Sequence, residues 1–358
     1  EFENSSFIAD FSYIKGYKSK SSNNRNSINH LFSKFDYDLD LKDHQNSKVK
    51  VFVEKVNNDN FLSIFENVLL TSERFEEDLK DNNNLTTGIE LNLDHDDYNL
   101  TAGLTVYENL QRLNNDRYQY AFPYYNYYTS FFSNDTGTIN FNSDGRNNLS
   151  NTNNLKTNIT NTLSYTTKDL FTNSGFVNNF GIYFKNLNVM AKNDTQYKSS
   201  LQTELLNIYE ASSSYPLFKI NEKNTNYITP KISFRFNPSD MKNHKNLSRL
   251  LAADSIFGID RLGIGGDSYE SGKSLTLGLD FKIEDRMEID KFLEVKFAGI
   301  LRDDEEDKIP VSSSTNRKTS NLFGSIENSF SKFFSLDYDF IVDNDFYTFE
   351  HNAIEATF

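Results

Sequence analysis

Along residues 273–283 the chain places Leu275, Leu277, Leu279, Phe281 and Ile283 at alternate positions, with Ser274, Thr276, Gly278, Asp280 and Lys282 between them. A period of two belongs to an extended strand, whose successive side chains point to opposite faces. A helix would need its apolar residues at spacings of three and four, which would scatter these leucines around the cylinder. The pattern predicts a strand with one apolar and one polar face.

The same device recurs along most of the chain. Phe7, Ala9, Phe11 and Tyr13 share a face; Ser33, Phe35, Tyr37, Leu39 and Leu41 oppose Lys34, Asp36, Asp38 and Asp40, an acidic file that cannot meet a dry core. Val49, Val51 and Val53 follow. A hairpin reads from Leu85, Thr87, Ile89, Leu91 and Leu93 through a turn at residues 94–97 into Tyr98, Leu100, Ala102, Leu104 and Val106. Ile228, Ile232, Phe234 and Phe236 alternate with Lys231, Ser233 and Arg235, and three closely spaced strands centre on Leu322, Leu336 and Phe349. Polar connections are expected at residues 18–26, 142–154, 192–200, 239–248, 263–272 and 302–307. Residues 61–84 lose the alternation; Phe61, Ile64, Phe65 and Val68 have helical spacing, so a loop with helical turns is expected there. The aromatic run of residues 118–132 surrounds Pro123, which removes a ladder donor and marks an edge, a bulge or a bend. Its rings are read as packing, with an interfacial girdle as the alternative. The count comes to roughly sixteen strands in an all-β chain.

Composition sharpens this reading. Apolar residues make up 37% of the 358 positions, below the roughly 45–50% of ordinary globular domains, as suits strands that cover only one face. Aromatics reach 15%, which argues against disorder. A net charge of −14 excludes non-specific nucleic-acid binding, which needs clustered cations. With no cysteine there is no disulfide, thiolate metal site or cysteine nucleophile. No apolar run approaches the length of about 20 residues needed by a membrane helix, and residues 1–10 lack a signal-peptide pattern. The chain opens directly on strand residues and reads as an internal piece of a longer protein.

Two architectures produce many one-sided strands: sheets packed around a core, or one sheet around a polar interior with its apolar residues toward lipid. Apolar files of Leu, Ile, Val and Phe, arms near the 9–11 residues of a tilted membrane strand, and connections of mixed length favour the second. The fold class expected is a transmembrane antiparallel β-barrel, the described strands being part of a larger one.

Chemistry is sparse. His30, His44, His95, His244 and His351 show no metal spacing, and His95 between Asp94 and Asp96 reads as a solvated turn. Gly263, Gly265 and Gly266 suggest a phosphate loop, but no helix follows to offer its N-terminus. The acidic run of residues 303–307 lacks the alternating ligands of a calcium loop. No nucleophile elbow or Walker loop is present. Transport, assembly or binding therefore outranks enzymology, and no cofactor is expected.

One portion is more specific. Thr229, Pro230, Lys231, Ile232, Ser233, Phe234, Arg235, Phe236, Asn237 and Pro238, then Met241, then Asp260, Arg261, Leu262 and Gly263, then residues 272–279, resemble the barrel domain of the LptD family of lipopolysaccharide-assembly proteins, in its alphaproteobacterial form. The resemblance implies that residues 1–358 are one segment of that barrel, lacking the family's N-terminal periplasmic jelly-roll domain and its terminal strands. It implies an outer-membrane barrel of a Gram-negative cell that assembles lipopolysaccharide into the outer leaflet. The partners implied are lipopolysaccharide, a plug lipoprotein of the LptE kind, a periplasmic bridge reached through the missing domain, and outer-membrane lipid. A general porin or receptor barrel, and a soluble or surface β-adhesin, are the alternatives; an outer-membrane lipase would need a serine and a histidine brought together. On this reading Thr276, Gly278, Asp280 and Lys282 face the lumen, and Leu275, Leu277, Leu279 and Phe281 face lipid. Arginine is then expected to be tolerated at Thr276 and not at Leu277.

Overall fold

The computed structural model describes residues 4–19, 22–61, 83–112, 116–195, 197–266 and 268–358, the side chains of 16–26 excepted. The first strands are β1 (Ser5–Ser19), β2 (Ser22–Asp38), β3 (His44–Val56), β4 (Asn84–His95), β5 (Tyr98–Asn109) and β6 (Tyr118–Ser133). The middle ones are β7 (Gly137–Ser150), β8 (Asn154–Thr167), β9 (Leu170–Phe171), β10 (Val177–Lys192), β11 (Gln202–Ser214) and β12 (Leu217–Ile220). The last are β13 (Asn224–Asn237), β14 (Gly272–Asp285), β15 (Phe292–Arg302), β16 (Leu322–Ser331), β17 (Phe334–Val342) and β18 (Phe349–Thr357). Short 3-10 turns occupy Ser255–Phe257 and Val311–Ser313. Among the described residues no helix is long and apolar enough to cross a membrane.

The eighteen strands belong to one antiparallel sheet that is not closed. Sequence neighbours pair from β1 to β6 and again from β13 to β18. Two strands are short continuations: β9, of two residues, runs along β10, and β12, of four, runs along β13 next to β11. The alternation predicts roughly sixteen arms because such breaks cannot be told from turns.

Packing divides the chain into two units: Glu1–Phe131 with Asn140–Thr162 and Asn186–Glu204, and Phe132–Ile139 with Leu163–Lys185 and Leu205–Phe358. In the first, β2, β3 and β4 carry the alternation as expected, but two expected loops are strands. Residues 18, 19 and 22–26 belong to β1 and β2, and residues 142–150 belong to β7. The asparagines and serines of β7 look like loop composition because sequence alone does not show what satisfies them. Across the sheet they satisfy one another: the Ser143 hydroxyl lies 3.1 Å from that of Tyr125 and donates to Asn161 at 2.8 Å, and Asn161 in turn donates to Asn186 at 3.3 Å. A polar strand is stable where its side chains form such a ladder. Pro123 lies within β6, opposite a register shift between Gly103 and Thr105, so the bulge is the form taken. The expected helical turns of residues 61–84 lie almost wholly outside the described residues.

The second unit shows which file is covered. In β14, Leu277 and Leu279 are 43% and 42% exposed, whereas Ser274 and Thr276 are 4% and 3% exposed. In β13, Ile228, Ile232 and Phe234 are exposed while Ser233 and Arg235 are buried. The apolar file is the uncovered one, the reverse of a sheet that packs on a dry core. What covers the polar file is the connection of residues 238–271, which folds onto it. Met241, Leu251, Ala253, Ile256, Leu262 and Ile264 from this connection make a core with Ala298, Ile300, Phe323 and Ile341 of the wall and with Ile309. The strands are therefore one-sided for most of their length and two-sided where the connection seats.

Candidate functional site

Several of the residues that carry the sequence resemblance meet where that connection seats on β13 and β14. In β13 the polar file Thr229, Lys231, Ser233 and Arg235 stands in register with Asp280, Gly278, Thr276 and Ser274 of β14. Pro230 is tolerated inside the sheet because β11 ends opposite Lys231 and β12 begins opposite Ile228, leaving a break where its missing N–H would have paired. Lys231 forms an ion pair with Asp280, and its ammonium stands 5.9 Å over the Phe257 ring. Phe257 in turn lies on Gly278: a Cβ there would stand 2.6 Å from the ring. Gly278→Val is expected to push the 255–257 turn off the wall and to destabilise by about 1–3 kcal/mol, an overpacking cost. Thermal unfolding in detergent measures it, and Phe257→Ala in the same chain should recover most of the loss.

Asp260, Arg261 and Gly263 form the tightest part of the connection. One carboxylate oxygen of Asp260 accepts from the N–H groups of Ile264 and Gly265, both at 2.9 Å, and Gly263 supplies the left-handed φ of 67° that the turn needs. This holds Arg261 against the wall, 2% exposed. Its Nε and Nη2 donate to the two oxygens of Glu270 at 2.6 Å each, its Nη1 to Thr276 at 2.9 Å, and its Nη2 to Ser274 at 3.0 Å. Such a fork on a carboxylate is the strongest pairing an arginine makes. Arg302 of β15 also donates to Glu270 and to the Ser271 carbonyl. Arg235 stands 3.7 Å from Glu270 and 3.8 Å from Glu210, and donates to the Gly258 carbonyl at 2.7 Å. Pro238 follows the last residue of β13 and starts the connection.

Three guanidiniums thus surround one buried carboxylate, with Glu210 at the margin. Burial works against ionisation of Glu270, but the Arg261 guanidinium, helped by Arg235 and Arg302, holds its carboxyl down at about 2. Burial beside Asp260 pushes the neighbouring Tyr269 phenol up to about 12. Lys185 stands 4.6 Å over the Tyr269 ring and donates to the Gly265 carbonyl. The arrangement fastens the connection to the sheet.

Thr276 and Gly278 lie on the polar face, as the alternation requires, but they are covered rather than open: Thr276 accepts from Arg261, and Gly278 is capped by Phe257. Arginine at Thr276 has no room, contrary to the expectation from the sequence. Asp280 and Lys282 are half-buried, and Lys282 pairs with Glu284 at 2.8 Å. Leu275 and Phe281 share the outward file with Leu277 and Leu279. Glu270, Arg302 and Phe257 are functional neighbours that the sequence did not single out; Arg302 alone carried a signal, as a cation at an inward position of its strand.

The first unit contains a smaller network. Glu108 of β5 is buried and accepts from Lys55 at 2.7 Å, Arg117 at 2.8 Å and Tyr118 at 2.9 Å, and Arg117 also pairs with Asp59 at 2.7 Å. The same unit brings a serine and a histidine together. Ser12 Oγ lies 2.7 Å from His30 Nδ1, and Asp10 lies 3.3 Å from His30 Nε2. Ser12 stands mid-ladder directly opposite His30. Among the described residues no group of three or more His, Cys, Asp or Glu side chains could hold a metal ion. No protein-family model matches the chain, and no curated protein matches it.

Proposed function

We propose that this chain forms the wall of an outer-membrane β-barrel that assembles lipopolysaccharide into the outer leaflet, working with a plug lipoprotein and a periplasmic bridge that delivers the lipid. The observation that carries the membrane part is the inverted alternation: Leu277, Leu279, Ile228, Ile232 and Phe234 are exposed while Ser274, Thr276, Ser233 and Arg235 are buried. In water, contiguous exposed files of that length are a liability; in a bilayer they are the required surface. The lipopolysaccharide part is supported by the motif resemblance, whose separated pieces meet in one cluster around Arg261 and Glu270. On this reading the chain is scaffold rather than catalyst, and the connection of residues 238–271 is a resident part of the barrel interior.

The chain lacks cysteine, so single cysteines report cleanly. In intact outer membranes, cysteines at Thr229, Asp280 and Lys282 should react with a water-soluble maleimide. Cysteines at Leu277 and Leu279 should stay protected until detergent is added. Photo-cross-linkers at the inward positions should then capture lipopolysaccharide. Capture nowhere along the inward file, together with solute conductance independent of lipopolysaccharide, would leave a porin or receptor barrel. Labelling of both files in a protein recovered without any membrane fraction would sink the barrel altogether.

A further inference from the structure

The strand pair β1 and β2 carries a set of reactive side chains apart from the Arg261 cluster. Asp10 and Ser12 are two residues apart in β1, so the strand turns both to one face, and His30 of β2 stands directly opposite Ser12. The Ser12 hydroxyl oxygen is 2.7 Å from His30 Nδ1, and an Asp10 carboxylate oxygen is 3.3 Å from His30 Nε2. A hydroxyl, an imidazole and a carboxylate are thus set in series, nucleophile against base and base against the acid that orients it.

The carboxylate fixes where the ring proton sits. With that proton on Nδ1, Nε2 would turn a lone pair toward Asp10, acceptor against acceptor. Asp10 therefore selects the tautomer protonated at Nε2, which leaves Nδ1 to accept from the Ser12 hydroxyl. Nε2 is buried, and its approach to Asp10 is not aligned as a hydrogen bond. The contact is a charge pairing, strongest when the ring has taken a second proton. The imidazole is held in place: it is 5% exposed, with the Phe32 ring at 4.9 Å and the Phe61 ring at 4.8 Å. Ser12 is half-buried and the Asp10 side chain is 42% exposed, so the group opens on the β1 side.

The backbone adds a donor. The Asp38 N–H donates to the Asn4 carbonyl at 2.8 Å. The register runs unbroken from Ser5 to Ile14, so the even-numbered residues of β1 are the ones bonded to β2. The N–H of Tyr13, next after Ser12, points to the other side of β1 and is not used by this ladder. Ile14 continues the Ser12 face, exposed, with Ile28 opposite it, and gives an acyl chain apolar ground beside the hydroxyl.

We propose that Ser12, His30 and Asp10 form a hydrolytic site for carboxylic esters with an apolar acyl chain, an activity in addition to the scaffold role. His30 Nδ1 takes the hydroxyl proton as Ser12 Oγ attacks the ester carbonyl, and the Tyr13 N–H receives the developing oxyanion. Asp10, a positioning residue, stabilises the imidazolium. The alcohol leaves with the proton from Nδ1, and the acyl group stays on Oγ. Water then attacks the acyl carbon, giving a proton to His30, and the acid departs as Oγ recovers that proton.

The test treats the detergent-solubilised protein with diethyl p-nitrophenyl phosphate, which phosphorylates activated serines, and separately with p-nitrophenyl butyrate. The expected result is a single diethylphosphoryl group, mapped by mass spectrometry to Ser12, and butyrate hydrolysis above the buffer rate. Ser12→Ala should abolish both while keeping the thermal midpoint of the native chain. His30→Gln should slow both by about a hundredfold or more. Asp10→Asn should slow both by about tenfold or more, and Asp10→Glu should recover most of that loss, which a purely structural carboxylate would not require. A native chain that stays unlabelled under excess reagent, or whose hydrolysis survives Ser12→Ala, overturns the assignment. The site lies on β1 and β2 and needs no bilayer, so either result leaves the membrane reading to the cysteines at Leu277 and Leu279.

Discussion

Replacing Glu270 by Gln is expected to unfasten the connection of residues 238–271 and to cost the protein several kcal/mol of stability. Glu270 is the shared acceptor of Arg261, Arg302 and Arg235, so neutralising it leaves three cations buried near one another with only Glu210 beside Arg235 and Glu306 near Arg302. Removing one partner of a buried ion pair typically costs about 3–5 kcal/mol, because the other charge stays desolvated and unpaired. The pH dependence is a second check. The folded carboxyl sits at about 2 against an ordinary 4.5, so its contribution is fully present above about 4.5 and fades as the pH falls toward 2. Unfolding in detergent between pH 6 and pH 2 should show this loss in the native chain and lose most of it in Glu270→Gln. Limited proteolysis supplies a direct readout: cleavage within residues 238–271 should accelerate in the variant while the strands stay resistant. Unchanged proteolysis together with an unchanged midpoint would mean that the connection is held by its apolar contacts to Ile300, Phe323 and Ile341 alone.

Leu277→Arg should abolish stable insertion, and Thr229→Arg should not. Leu277 is in the exposed file of β14; on the proposed membrane reading that file faces lipid, where an arginine near mid-bilayer costs about 2–4 kcal/mol. Thr229 is half-buried on the opposite face and stands in register with Asp280, which offers a new guanidinium a carboxylate. The comparison uses Thr229 rather than Thr276 because the latter is already the acceptor of Arg261 and is covered on all sides. Yield in the outer-membrane fraction and retention of a folded band on unheated gels measure both variants. Equal yields at both positions would count heavily against lipid on the outward file.

How much of this could be read from the chain depends on how local each cause is. The strand at residues 273–283 was legible because alternation is a local property: whatever lies outside, Leu277 and Thr276 must point to opposite faces. The same holds for Ile228 against Lys231 in β13, and for the hairpin of β4 and β5. The polar stretch at residues 142–150 reads as a loop for a matching reason. A row of Asn and Ser looks unfit for a strand until Tyr125, Asn161 and Asn186 are seen to satisfy it from neighbouring strands.

The sequence by itself determined the all-β class, the near-count of strands, the absence of cysteine chemistry and the partition of each strand into an apolar and a polar file. Only the tertiary structure decided which file is covered, and by what. Residues 238–271 carry no periodicity that announces where they go, yet Ile256, Leu262 and Ile264 find Ala298, Ile300 and Phe323 on the covered face of the sheet. Arg261, Glu270 and Arg302 meet from positions 261, 270 and 302 because a turn at Gly263 and the register of β14 with β15 place them there. Periodicity is fixed between neighbours along the chain, whereas a buried charge finds its partner through the folding of everything between them.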